Sequence, residues 1–202
     1  GGGGGSGGDA TSDAVSLTSL AIAGGANSGG DGDTAHVQTS GSRITTTGSH
    51  AAGLVALSVG GGGGTGGAAS SFDLSFGFSS AVAVGGKGGP GGDGGAAEAF
   101  LFATDITTGD ANDLTVANAH GVIAASIGGG GGMGGSATSK AVTITVPTEE
   151  PQVDGEVSLS LGGSGANAGH GGTVHTILED SLITTYSDGS NGLVALSVGG
   201  GG

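Results

Sequence analysis

The chain has no cysteine and no tryptophan, one tyrosine, three prolines, and three lysine and arginine residues in 202 positions. Without cysteine there are no disulfides and no thiolate metal sites, which suits a protein exported unfolded and equally a cytoplasmic one. Three cations cannot form the basic stripe of a nucleic-acid binder, nor recruit the chain to an anionic membrane surface. No apolar run approaches the roughly 18 residues of a membrane span, and no signal-peptide pattern is present, so targeting and anchoring parts of an exported protein are expected outside this chain. With so few aromatic rings, a core must come from Val, Ile, Leu and Ala. It is expected to be thin, a stacked column more than a globule.

What is present is glycine, 53 residues of it, and acid: 17 Asp and Glu give a formal net charge of −14. That much glycine usually marks disorder. Here, however, mean hydropathy is positive, and the apolar residues fall in short alternating runs. GLVALSVGGGG occupies 53–63 and again 192–202, with GVIAASIGGGG at 121–131 between them. Glycine runs begin at Gly1, Gly60, Gly128 and Gly199. An Ile-Thr-Thr precedes each phrase, starting at Ile44, Ile106 and Ile183. It stands nine residues before the phrase-opening glycine in the first and third copies and 15 in the second, which points to a six-residue insertion near ANDLTV (111–116). An alternating stretch follows each glycine run, then a second glycine-rich patch: GANSGGDGD, GGKGGPGGDGG and GGSGANAGHGG.

These phrases divide the chain into the tail of a preceding repeat (1–8) and three repeats (9–67, 68–135 and 136–202), expected to be one continuous segment cut from a longer array. Length variation sits in loops, most clearly TVPTEEPQVDGE (145–156). VSLTSL and EVSLSL alternate apolar residues with Ser or Thr, the two-residue period of a strand, and no stretch has helical periodicity with caps. The chain is predicted to be almost all β. Each glycine ordered costs about 0.5–1 kcal/mol more than alanine, so the runs must recover that cost by close packing. Their near-identical length predicts ordered, polyproline-II-like or flat segments stacked on one another rather than loose loops. Short strands, turn glycines and inward Val, Ile and Leu columns predict a β-solenoid with stacked polyglycine segments. At about 20–25 residues per coil, each repeat would be two or three coils. The alternative architecture is a layered sandwich of extended glycine strands between short β-strands.

Candidate chemistry is sparse. The histidines are His36, His50, His120, His170 and His175; His36 aligns with His175, but no His, Asp or Glu constellation recurs in the three repeats, so no metal site is assigned. GGDGD and GGDGG resemble Gly-Asp calcium turns through Asp31, Asp33 and Asp93, yet they recur once per repeat instead of every nine residues. Glu149-Glu150 and Glu179-Asp180 are adjacent acids expected to be solvated charge. Gly163-Ser164-Gly165 is a turn fragment, not a nucleophile elbow, and Lys87 lies in GGKGGPGG without the strand-to-helix setting of a phosphate loop. No catalytic, cofactor or metal residue is assigned, and the chain is not expected to be an enzyme.

The phrase ITTTGSHAAGLVALSVGGGGGTGG (44–67), its counterpart at Ile106-Thr107-Thr108-Gly109 and Gly121–Gly128, and VSLSLGGSGANAGHGG (157–172) together resemble the repeat arrays of autotransporter passenger domains. Leu57 and Leu196 depart from that family's pattern, standing where a polar residue is often found. The resemblance implies a secreted Gram-negative surface protein, hence an extracellular structural or adhesive element: a stalk, fibre or filament. Its expected partners are flanking copies of the same repeat, self-association into fibres, or cell and surface contacts, with no nucleic acid and no membrane insertion by this segment. The alternative is a ligand-binding module for ice or a glycan, using a flat face of Thr45–Thr47, Thr107-Thr108 and Thr184-Thr185. Against ice stands the expectation that these threonines recur once in several coils. Against glycans stands the lack of aromatic platforms beyond Tyr186.

Overall fold

A computed structural model describes residues 1–15, 17–113, 115–145 and 155–202. The chain is an all-β solenoid. Among the described residues there is no helix; EVSLSL lies wholly within a strand as its alternation predicts, whereas in VSLTSL (15–20) only Ser19 and Leu20 are in a strand, because Val15, Leu17 and Thr18 fall where the chain turns from one strand to the next. The first repeat supplies β1 (Ala10–Ala14), β2 (Ser19–Ile22), β3 (Ala35–Ser40), β4 (Arg43–Thr46) and β5 (Leu54–Val59). The second supplies β6 (Ala69–Phe76), β7 (Phe78–Val84), β8 (Ala97–Phe102), β9 (Asp105–Thr108) and β10 (Val122–Ile127). The third supplies β11 (Ala137–Ile144), β12 (Gly155–Leu161), β13 (Val174–Glu179), β14 (Leu182–Thr185) and β15 (Leu193–Val198). Each strand pairs, parallel and in register, with its counterparts in the other repeats, giving five three-stranded sheets: β1-β6-β11, β2-β7-β12, β3-β8-β13, β4-β9-β14 and β5-β10-β15.

One repeat is therefore one coil, not two or three. The estimate of about 20–25 residues per coil assumes that strands meet at tight corners. Here two groups of strands are held apart by glycine bridges, and the bridges lengthen the circuit. Residues 60–68 and 128–136 form nine-residue bridges; residues 23–34, 85–96 and 162–173 form twelve-residue ones. Both lengths are multiples of three, the number of residues per turn of polyproline II. Burial in the bridges also repeats every third residue: Gly61, Gly64 and Gly67 are buried while Gly62 and Thr65 are exposed, and Gly86, Gly89 and Gly92 are buried while Lys87, Pro90 and Asp93 are exposed. A loop has no reason to keep such a length. A bridge that must re-enter the next strand in phase does.

Length changes accordingly collect at the two outer ends of the coil. The register Thr46↔Thr108 and Leu54↔Val122 confines the six-residue insertion to the loop before β10. There Asn112 N donates to Asp110 Oδ1 (2.8 Å), and Asp113 Oδ1 accepts from both Thr115 Oγ1 (2.6 Å) and Thr115 N (3.0 Å). The Thr115 hydroxyl, followed by its amide, holds the exposed Asp113 carboxyl below its usual range. Leu114, and the segment 146–154 with Glu149 and Glu150, lie outside the described residues. Corners use left-handed backbone at equivalent places in every coil: Gly41, Ala103 and Asp180 before the fourth strand, and His50, Asn118 and Gly189 before the fifth. Asp180 and His50 are thus corner residues.

The interior departs from the expected columns of Val, Ile and Leu. In β6 the inward residues are Ala69, Ser71, Asp73 and Ser75, while Phe72 and Leu74 point outward and Phe76 is exposed. Opposite them, β7 turns Ser79, Ala81 and Ala83 inward. The cause is the adjoining bridge. Two packed sheets need about 10 Å between backbones, but the two glycine layers are hydrogen-bonded directly to each other, so backbone touches backbone. Sheets running out of that waist are pinched, and small side chains fill the gap: Ala21, Ala23, Ala69 and Ala83 pack together, and Ser19 Oγ and Ser71 Oγ lie 2.7 Å apart. Asp73 is fully buried there. Its Oδ2 accepts from Ser79 Oγ and Ser80 N (3.0 Å each), and its Oδ1 has no partner. Larger residues enter only at the other end, where β4, β9 and β14 close the coil. Leu101, Ile106 and Val122 are buried there among Ala99 and Ala124, with Ile44, Leu54 and Ile183 against them.

Candidate functional site

The feature that the sequence spends most on is the waist. Seven glycine segments stack in a zigzag, alternating between two layers that run antiparallel to each other. Within a layer every third amide reaches the next coil: Gly63 N donates to Gly130 O and Gly66 N to Met133 O, each 2.8 Å. The following amide crosses to the other layer: Gly61 N donates to Gly30 O (2.8 Å), Gly64 N to Asn27 O (3.1 Å) and Gly67 N to Gly24 O (3.0 Å). The third points outward. Polyproline II makes no internal hydrogen bonds, so these two sets of contacts are what satisfy the backbone. Non-glycine residues of the middle coil's bridges use the outward phase: Thr65, Lys87, Pro90 and Asp93. Pro90 fits because that phase needs no amide bond and its fixed φ suits polyproline II, while its carbonyl still accepts from Gly29 N (2.8 Å).

The serine of each SVG or SIG phrase joins sheet to waist. Ser126 is fully buried; its Oγ donates to Gly95 O and accepts from Gly172 N, each 2.7 Å. Ser58 does the same between Asp33 O and Gly95 N (2.7 and 2.9 Å). Ser197, in the outermost strand, donates to Gly172 O (2.8 Å). Ser126→Ala leaves the half-buried Gly95 carbonyl and Gly172 amide without this partner, and it is expected to cost about 2–3 kcal/mol, lowering the thermal midpoint by roughly 5–10 °C. Ser197→Ala, which removes one edge contact, should cost less than half of that in the same melting experiment.

The outer faces carry side-chain ladders. On β4-β9-β14 the threonines do recur in every coil: Thr45, Thr107 and Thr184 are in register, which removes the objection from spacing. The second threonines face inward, where Thr46 Oγ1 donates to Ala51 O (2.8 Å) and Thr108 Oγ1 to Ala119 O (2.5 Å). The outward threonine ladder is one residue wide, flanked along the strands by Arg43, Asp105 and Leu182, with Arg43 and Asp105 3.6 Å apart. Tyr186 follows β14 and is half exposed.

On β3-β8-β13, His36, Glu98 and His175 share a row. His36 Nδ1 meets Glu98 Oε2 at 2.9 Å, and Phe100 stands edge-on to both imidazoles. Asp31 and Asp93 are bonded to backbone: Asp31 Oδ1 accepts from Asp93 N (2.8 Å) and Asp93 Oδ1 from His170 N (2.7 Å). Asp33 caps Thr34 N (2.7 Å). His120 Nδ1 accepts from Asn191 N (3.0 Å). Ser164 and Lys87 lie in the glycine bridges, where Gly88 N donates to Ser164 O (2.9 Å). Among the described residues no three His, Cys, Asp or Glu side chains converge on a common point. A depression of about 210 Å³ near the β6–β7 turn is lined by Val15, Leu17, Ser75 and Phe76, with no titratable group.

The outer face of β5-β10-β15 was missed in the sequence. Its outward rows are Val55, Ile123, Val194; Leu57, Ala125, Leu196; and Val59, Ile127, Val198. The alternation that makes VALSV a strand does not say which half faces out. The pinched interior decides it, taking Ala and Ser and leaving the large residues outside.

No family model matches the chain, and no curated protein matches it. A solved structure, described as crystal waters on the nine polyproline type II helical bundle springtail antifreeze protein from Granisotoma rainieri, aligns over 88% of this chain and 90% of that one at 16% identity, with a TM-score of 0.17.

Proposed function

We propose that the chain is a structural and adhesive repeat element that builds a flat ribbon at a bacterial cell surface. The observation that supports it is axial continuity: each of the five sheets and both glycine layers repeat from coil to coil in one register, so the edge at β11–β15 is the same surface that β1–β5 offer to β6–β10. A coil advances the ribbon by one strand spacing, about 4.8 Å. Across the coil, β5, its bridge and β6 span about 70–75 Å at about 3.3 Å per strand residue and 3.1 Å per bridge residue. Such a repeat is a poor way to gain length and a good way to present two broad, regular faces, which favours multivalent display over a length-setting stalk. The resemblance of its phrases to autotransporter passenger arrays is the reason for assigning the ribbon to the outside of a Gram-negative cell.

The register also defines the test. Gly4 lies beside Gly63, Gly63 beside Gly131 and Gly131 beside Gly202, so Gly202 is equivalent to Gly4. Copies joined Gly202 to Gly5 therefore keep phase. Electron microscopy of a nine-coil array is expected to show a ribbon of constant width, about 70 Å, whose height rises by about 4.8 Å per coil. Separate folded bodies on a string would reject the proposal. The threonine ladder Thr45–Thr107–Thr184 keeps an ice- or glycan-binding face as a second reading; thermal hysteresis or glycan-array binding, lost in Thr107→Lys, would support it.

A further inference from the structure

We infer that the edge of the third coil, β11–β15, is a head-to-tail docking surface for the first coil, β1–β5, of a second copy of this chain. This rests on the ribbon proposed above and adds that the joint between copies forms without a covalent link. The chain itself shows what covers such an edge, because the same edge of the second coil is covered by the third. Leu54 N donates to Gly121 O and Val122 N to Gly192 O (3.0 and 2.9 Å), each across one coil boundary. Leu193 stands next in that row, so its amide and those of Ala195 and Ser197 face the outer edge. The outer edge of a sheet is a template for a further strand. Here the strand that fits is at hand, since β5 and β15 carry the same LVALSV.

Side-chain relays that run from coil to coil carry on across this joint. Ser58 Oγ bridges Asp33 O and Gly95 N, and Ser126 Oγ bridges Gly95 O and Gly172 N. Ser197 Oγ donates to Gly172 O, and the amide that completes its bridge is Asp33 N of the second copy. Asp31 Oδ1 accepts from Asp93 N and Asp93 Oδ1 from His170 N. The His170 ring then meets Asp31 N of the second copy, as the His120 ring already accepts from Asn191 N. Charge is complementary too. Asp13, Phe72 and Lys140 share a row, so Lys140 faces Asp13 of the second copy one strand spacing away. Arg43 faces Asp105 in the same way inside the chain, at 3.6 Å.

The joint is also large enough. About 25 strand residues of the first coil, at about 3.3 Å each and about 10 Å of sheet thickness, offer about 800 Å² before the bridges are counted. That is the area per partner of a stable complex. The operation relating the copies is a translation along the ribbon. It never closes, so copies add into an open filament and not a dimer. One overlap opposes growth. Residues 199–202 of one copy and 1–4 of the next claim the same place, since Gly202 is equivalent to Gly4. The incoming copy releases its residues 1–4, and with them the bonds from Gly4 N to Gly62 O and from Gly30 N to Gly2 O (2.7 Å each). Gly202 and Gly200 of the first copy remake both.

Sedimentation velocity and electron microscopy of the 202-residue chain, at about 0.15 M salt to screen its net charge, test this. Below about 100 μM the chain is expected to grow into ribbons of constant width whose length rises with concentration. A chain without residues 1–4 should assemble at a concentration about tenfold lower. Ala195→Pro places a ring on the outer edge, and it should stay folded by circular dichroism and stop growth. Lys140→Glu should weaken assembly about fivefold, and adding Asp13→Lys should restore it. Both side chains are exposed, so the charge exchange decides the matter even where the proline variant unfolds. The inference is overturned if the full and the shortened chain both stay monomeric through about 1 mM. It is also overturned if folded Ala195→Pro assembles as the wild type does, or if the single and double charge variants assemble alike. A nine-coil array that forms one ribbon beside a monomeric 202-residue chain rejects the joint alone. An array of separate folded bodies rejects the ribbon and the joint together.

Discussion

Gly89→Ala is expected to destabilise the protein by about 3–5 kcal/mol, while Gly62→Ala changes stability by less than about 1 kcal/mol. Both glycines are in the waist, and composition alone treats them alike. A methyl group on Gly89 would land on Asn27 O and lie 3.2 Å from Gly64 N; both are backbone atoms of neighbouring segments and cannot rotate aside. The two layers would have to part, straining the bonds from Gly89 N to Gly64 O and from Gly132 N to Gly89 O (2.9 Å each). Overpacking costs about 1–3 kcal/mol and each disrupted bond about 1 kcal/mol more. At about 2–4 °C per kcal/mol for a chain of this size, the thermal midpoint should fall by roughly 10–15 °C. Gly62 is in the outward phase, and the nearest atom to its added methyl is Gly130 O at an ordinary 3.8 Å. Alanine there restricts the unfolded chain and is neutral or mildly stabilising. Equal melting temperatures for the two variants would mean that the layers are not in contact.

Much of this was legible in the residues. The alternation in EVSLSL gives a strand, the three recurring phrases give parallel stacking, and the constant length of the glycine runs gives order, whereas VSLTSL alternates as a strand does yet holds the connection between β1 and β2, with only Ser19 and Leu20 in a strand. GGKGGPGGDGG even spells the three-residue period of its own packing, with Lys87, Pro90 and Asp93 in the outward phase. The number of coils was not legible. It depends on the bridges being part of the circuit, which a strand-based estimate leaves out. Nor was the direction of the faces. FDLSF reads by habit as Phe and Leu inward and Asp outward, yet Asp73 is buried and Phe76 is 64% exposed. Burial preference for a single strand is a weak force beside the distance that the waist imposes on the two layers. The apolar outer face of β5-β10-β15 follows from the same constraint, so it too waits on three-dimensional information. The left-handed corners at Ala103 and Asp180 carry no glycine and leave no sign in the sequence.

Amide hydrogen exchange resolves the waist residue by residue, and the expected pattern has a period of three. In the segment from Gly60 to Gly67, the amides of Gly60, Gly63 and Gly66 are bonded to the next coil and those of Gly61, Gly64 and Gly67 across to the other layer. All six should exchange with the slow core. Gly62 and Thr65 point outward and are exposed, and they should exchange close to the rate of an unstructured peptide. An opening free energy of about 4 kcal/mol or more for the bonded amides gives a contrast of about a thousandfold between adjacent residues. The same alternation should run through the other layer, with Gly86, Gly89 and Gly92 slow and Lys87 fast. Asp93 is the informative exception: its amide is outward, but Asp31 Oδ1 accepts from it at 2.8 Å, so it should be slowed to an intermediate rate and released in Asp31→Ala. Stacked strands without the glycine zigzag would protect every second residue, and loose loops would protect none. Protection of two residues in three requires each segment to be bonded both along the ribbon and across it.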